Sequence, residues 1–139
     1  MALPALDVGF ETAELADVVL PATAWPEKNG TVSNTDRMVQ MGQQAVEAPG
    51  EAKADLWIIQ QIAKGMGLTW QYTGEHHGVA EVYEEMRQAM HEVISGISWD
   101  RLVRESSVTY PCLTEEDPGQ SIVFQNHFDT TDGRVHLVP

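Results

Sequence analysis

An α/β fold is the class this sequence predicts, and three stretches carry the prediction. Val18-Val19-Leu20 is a continuous apolar run closed by Pro21, the pattern of a buried strand in a parallel sheet. Residues 54–66 repeat apolar side chains at three- and four-residue spacing, and residues 79–94 do so again, which predicts two amphipathic helices. A length of 139 residues suits one such domain.

Residues 1–10, with Pro4 and Gly9, show no period and read as an irregular lead-in; the domain proper is expected over residues 11–139. Thr12 can cap a short helix over residues 13–16, with Glu14 near its positive end. The strand at 18–20 ends at Pro21, which has no N–H for a ladder. Residues 22–37 then form a polar loop at the strand's C-terminal edge, where open α/β sheets place their ligands. In the first helix Leu56, Ile59, Ile62, Ala63 and Met66 share one face, with Asp55 at the entrance and Gly67 past the end. The second helix sets Val79, Val82, Tyr83, Met86, Met90, Val93 and Ile94 against Glu81, Glu84, Glu85 and Glu92. Ser98 can cap a third short helix with Trp99 and Leu102 inward. Residues 106–120 read as a long loop, and residues 122–124 and 134–138 as extended runs around an Asp132-Gly133 hairpin turn.

Charge and cysteine content exclude several functions. A formal charge of -13, from 21 acidic and 8 basic residues, repels phosphate backbones and anionic membranes, so nucleic acid is not an expected partner. Cys112 is the single cysteine, which rules out an internal disulfide and a cysteine-only metal site, and suggests a reducing, cytoplasmic setting. No apolar run reaches the roughly 20 residues of a membrane span.

Catalytic signals are weak. Cys112 lacks the flanks of a cysteine enzyme, and His76-His77 shows no ligand spacing with His91, His127 or His136. Glu84-Glu85 and Glu115-Glu116 read as solvated surface, and the methionines of the second helix as core filler. No catalytic or metal residue is therefore expected in this chain. The 22–37 loop is more coherent. Lys28 offers a point charge for phosphate, Gly30 lets a ligand approach the backbone, and the run from Thr31 through Asn34 to Thr35 supplies directional hydrogen bonds, with Arg37 as a second cation. Asp55 is either an ordinary helix-entrance carboxylate or an acceptor for the paired N–H donors of a guanine ring.

Three blocks in succession, residues 11–21 (ETAELADVVLP), 25–37 (WPEKNGTVSNTDR) and 55–59 (DLWII), resemble the molybdopterin oxidoreductases, and among them the formate dehydrogenase alpha subunits. The downstream runs Trp99-Asp100-Arg101-Leu102, Tyr110-Pro111-Cys112 and residues 128–134 are similar to the same chains. The resemblance implies part of a parallel-sheet, dinucleotide-binding-like domain, incomplete and ending in a short hairpin before an absent barrel. It implies a parent enzyme that oxidises formate with molybdenum or tungsten held between two molybdopterin guanine dinucleotides, working with the rest of the alpha subunit and further subunits. Lys28 and Asp55 fall on positions that meet the guanine dinucleotide in relatives; Gly30 and Asn34 join them on chemistry and position. Ala5-Leu6-Asp7 departs from the register of the family's preceding strand. The family's iron–sulfur cysteines, metal ligand and active-site His and Arg have no counterpart here, so the chain alone is expected to be inactive, an iron–sulfur cluster belonging to the parent only. Two other readings stand beside this one: a structural domain without molybdenum, related to the large subunit of respiratory NADH dehydrogenases, and a free-standing acidic module that binds a basic partner through residues 79–94.

Overall fold

The computed structural model describes residues 11–137; the lead-in at 1–10, the register of Asp7 and the end of the last extended run lie outside the described residues. In chain order the elements are α1 (Glu11–Glu14), a 3₁₀ turn (Trp25–Glu27), β1 (Gly30–Ser33), β2 (Met38–Gly42), α2 (Asp55–Gly65), α3 (Glu75–Ala89), α4 (His91–Ile94), α5 (Trp99–Glu105) and β3 (Ser107–Thr109). The class is mixed α/β, as predicted.

The sheet differs in its strands and direction. Its order is β1-β2-β3, and both pairings are antiparallel. The expected strand at 18–20 does not form one. Val18, Val19 and Leu20 are 73%, 60% and 54% exposed, and among the described residues the parallel pairing near them is the single bridge between Ala22 and Lys53. An apolar run identifies a segment that favours burial, but a strand also needs a neighbouring backbone to complete its ladder.

Part of the polar loop is instead a β-hairpin. Thr31 pairs with Met41 and Ser33 with Val39, and the connection over Asn34–Arg37 closes with Asn34 N–H donating to Met38 O at 3.0 Å and Arg37 N–H donating to Asn34 O at 3.0 Å. Arg37 takes the left-handed conformation (φ 68°) that such turns require at their last position. Val39 faces Val108 of β3, and both are buried.

That face of the sheet meets α3, α4 and α5 in one core of Val39, Tyr83, Ile94, Ile97, Leu102, Val108 and Cys112. The Ser98 cap is present, its Oγ accepting from Arg101 N–H at 3.2 Å, and Leu102 points inward as expected. The segment after β3 is drawn tightly over the residues between α4 and α5. Gly96 N–H donates to Cys112 O at 3.0 Å, and a Cβ on Gly96 would lie 2.1 Å from Thr114 O, so only glycine fits.

Four further expectations change. The first helical turn is Glu11–Glu14, two residues before the expected 13–16. The single helix over 79–94 is two, α3 and α4, broken at Met90. The loop at 106–120 contains β3. At the C-terminal end a turn forms, with Phe128 N–H donating to Gly133 O at 3.0 Å, but its flanks form no strand among the described residues.

Candidate functional site

The site is built where the loop before β1 meets the start of α2. Thr23 N–H donates to Lys53 O at 3.0 Å, and Lys53 N–H donates to Pro21 O at 3.1 Å. These two bonds place Thr23 beside the entrance of α2. The 3₁₀ turn then reverses the chain, held by Glu27 Oε2 accepting from Ala24 N–H at 2.8 Å. Lys28 follows in extended conformation, and its ammonium reaches back across the turn.

There Lys28 Nζ donates to Thr23 O at 3.2 Å and forms an ion pair with Asp55 Oδ2. The two residues are 27 positions apart in sequence, so the tertiary fold brings together the pair named from the sequence. The hydrogen bond from Lys28 holds the Asp55 carboxyl below its ordinary value, against a smaller opposing effect of burial. Asp55 is the first residue of an eleven-residue helix, where its charge also meets the positive end of the helix dipole.

A cleft of about 350 Å³ opens beside the pair, walled by Thr23, Lys28, Lys53, Asp55, His76 and His77 among others. Thr23 is 8% exposed, and its Oγ1 is a buried hydroxyl with no hydrogen-bond partner. Such an orphan costs about 1–3 kcal/mol, so it marks a place where a hydrogen-bonding group is wanted. A second groove of about 500 Å³ shares Lys28 and Asn29 with the first and runs along β1, with Trp25 and Gly30 in its walls. A Cβ on Gly30 would meet nothing within 4 Å, so the groove is open above that residue.

The other named residues lie elsewhere. Asn34 sits in the hairpin turn, with its Nδ2 donating to Gln40 Oε1 at 3.2 Å, and lines neither cleft. Arg37 is turned inward, its guanidinium donating to Tyr110 O at 2.6 Å, Gln120 O at 2.9 Å and Ser121 O at 3.0 Å. It clamps the C-terminal segment and does not face the Lys28 cleft. Cys112 is fully buried, and burial pushes its thiol up, which suits a core residue and not a nucleophile.

Two larger clefts, of about 720 and 870 Å³, lie around Arg37 with the C-terminal loop and around Glu81, Glu84 and Glu85. The second also holds an ion pair, Arg87–Glu84, beside the entrance of α5, so neither size nor an ion pair selects the site; the Lys28–Asp55 cleft is taken because it holds the two residues named from the sequence.

Sequence reasoning missed Thr23, Lys53 and the His76-His77 wall. His76, His77 and Gly78 occupy left-handed conformations in succession (φ 50°, 65° and 77°). Non-glycine residues in that region cost roughly 1–2 kcal/mol each and seldom occur in series. Gln60 of α2 holds the turn, its Nε2 donating to His77 O at 2.6 Å and Tyr72 O at 3.2 Å. Gly74 and Gly78 bracketing two histidines were the available signal, but glycine alone does not say what a turn faces.

Comparison with known proteins agrees with the sequence blocks. Residues 6–65 match the molybdopterin oxidoreductase family. The chain is 39% identical over 129 residues to the F420-dependent formate dehydrogenase subunit alpha of Methanocaldococcus jannaschii, covering 93% of this chain and 19% of that protein. It is 36% identical over 132 residues to the assimilatory nitrate reductase catalytic subunit of Bacillus subtilis, covering 91% and 18%. A putative formate dehydrogenase of Staphylococcus aureus is 35% identical over 128 residues. The chain thus spans about a fifth or less of the length of these relatives.

Proposed function

We propose, for a chain similar to molybdopterin oxidoreductases along nearly all its length, that it supplies one nucleotide-binding corner of a formate dehydrogenase alpha subunit. The observation that carries this reading is the Lys28–Asp55 pair, which lines a cleft at the entrance of α2. A half-exposed ion pair contributes about 0–1 kcal/mol, so fold stability gives little reason for the pair. Ligand binding gives a better one.

The donor set fits a guanine nucleotide. Asp55 accepts from the adjacent ring and exocyclic N–H groups of guanine, Lys28 stays beside the sugar-phosphate, and the groove over Gly30 passes the rest of the cofactor. Molybdopterin, when bound, supplies dithiolene sulfurs to a molybdenum or tungsten ion that exchanges electrons with substrate. The residues here do none of that redox chemistry; they orient the nucleotide end and exclude water from its edge. The parent oxidises formate to carbon dioxide in the cytoplasm, within an assembly of the remaining alpha subunit, other subunits and an iron–sulfur cluster. No helix among the described residues is long and apolar enough to cross a membrane.

Titration calorimetry with GDP tests the site. GDP is expected to bind the 139-residue chain, and Lys28→Ala and Asp55→Asn to weaken it at least tenfold, the scale of one charge-assisted hydrogen bond. Equal affinity across the three proteins would remove the pair from the site.

A further inference from the structure

We infer that the His76-His77 turn is the base-contacting wall of the Lys28–Asp55 cleft, its imidazoles packing on the flat face of a purine whose edge Asp55 reads. This rests on the nucleotide reading above and assigns two contact residues that neither the sequence blocks nor the comparisons name.

Charge is the first argument. The charged side chains lining the cleft are Glu27, Lys28, Lys53 and Asp55, two acids and two bases, so the lining as a whole carries no net charge and only Lys28 at one side is left to meet a phosphate. A neutral, flat, hydrogen-bonding group suits such a lining, and about 350 Å³ is at the small end of ligand pockets.

Backbone geometry is the second. His76 and His77 hold left-handed conformations that their neighbours enforce: Gln60, only 5% exposed, donates to His77 O, and Gly78 N–H donates to Gly74 O at 3.1 Å. Strained residues fixed by a surrounding network concentrate at ligand contacts. Gln60 lies on α2, five residues after Asp55, so one helix presents the carboxylate and also anchors the His76-His77 turn. Both histidines remain exposed to the cleft and to solvent.

The test uses the 139-residue chain with GDP and ADP as probes. Asparagine tolerates positive φ, so the double variant His76→Asn, His77→Asn keeps the turn while removing the rings. Its affinity for GDP and ADP is expected to fall by a common factor of about ten, because stacking tolerates any base. Asp55→Asn is expected instead to reduce the preference for GDP over ADP. In the unaltered chain, GDP should shift the ring-proton NMR signals of His76 and His77 and leave those of His127 and His136 in place, which reads the contact without a substitution. Unchanged affinity in the double variant, or unshifted His76 and His77 signals on GDP binding, overturns the inference while the Asp55 result still supports the site. Failure of the unaltered chain to bind GDP overturns both. Loss of affinity in the histidine variant alone supports the wall and removes the Lys28–Asp55 pair.

Discussion

Tyr83 shows how one residue's chemistry depends on its neighbours. It is 4% exposed, and its hydroxyl donates to Ile97 O at 2.7 Å. Burial, reinforced by the nearby Glu84 charge, pushes the phenol from 10.0 up to about 12. In the unfolded chain the group loses its proton near 10.0, so between that value and about 12 the folded state holds a proton that the unfolded state has released. Stability is therefore full below pH 10 and falls as pH rises toward 12. A near-ultraviolet absorbance titration should show one of the chain's three tyrosines ionising late and together with unfolding. Ionisation of all three in the ordinary range would contradict the buried placement. At this same scale the sequence made Lys28 and Asp55 legible, because a cation in a polar loop and a carboxylate at a helix entrance are chemical signals. It gave no sign of the Thr23 orphan, since an unpaired hydroxyl exists only relative to what surrounds it.

Among the elements, α5 depends on a single buried cation. Arg101 is 4% exposed and donates to Gly96 O at 3.0 Å, Thr114 O at 3.2 Å and Asp117 O at 2.8 Å, with Glu105 at its Nε. Arg101→Met would leave those carbonyls buried without a donor, and a loss of about 3 kcal/mol or more is expected in urea unfolding. Arg104→Met, at an exposed position on the same helix, serves as the control and should change stability by about 0.5 kcal/mol or less. Helix α2 shows the limit of periodicity. Its spacing identifies an apolar stripe, yet Ile59, Ile62 and Met66 are 52%, 51% and 72% exposed while Gln60 and Ala63 are buried. Here the buried polar residue was needed to pair the carbonyls of the 72–77 segment, a requirement invisible to hydrophobic spacing. The β1–β2 hairpin was similarly concealed, because Thr31-Val32-Ser33 and Met38-Val39-Gln40 are short runs that side-chain composition alone leaves ambiguous.

For the whole molecule, the prediction concerns activity: the 139-residue chain is expected to oxidise no formate with any electron acceptor. The metal-binding and active-site residues that the resemblance implies have no counterpart in this sequence, and the one cysteine is sealed in the core. Turnover by the purified chain, free of other subunits, would refute this. By itself the sequence determined the α/β class, the Ser98 cap, the approximate spans of α2 and α5 and the family resemblance, and it named Lys28 and Asp55 as candidates, because each is written in local spacing or residue chemistry. Only the tertiary structure decided that the sheet is antiparallel, that Arg37 is a clamp, and that Thr23, Lys28, Asp55 and the His76-His77 turn share one cleft. The physical reason is that strand pairing, burial and hydrogen-bond satisfaction are relations between distant segments; the bonds joining Pro21 and Thr23 to Lys53 bring the loop and helix together.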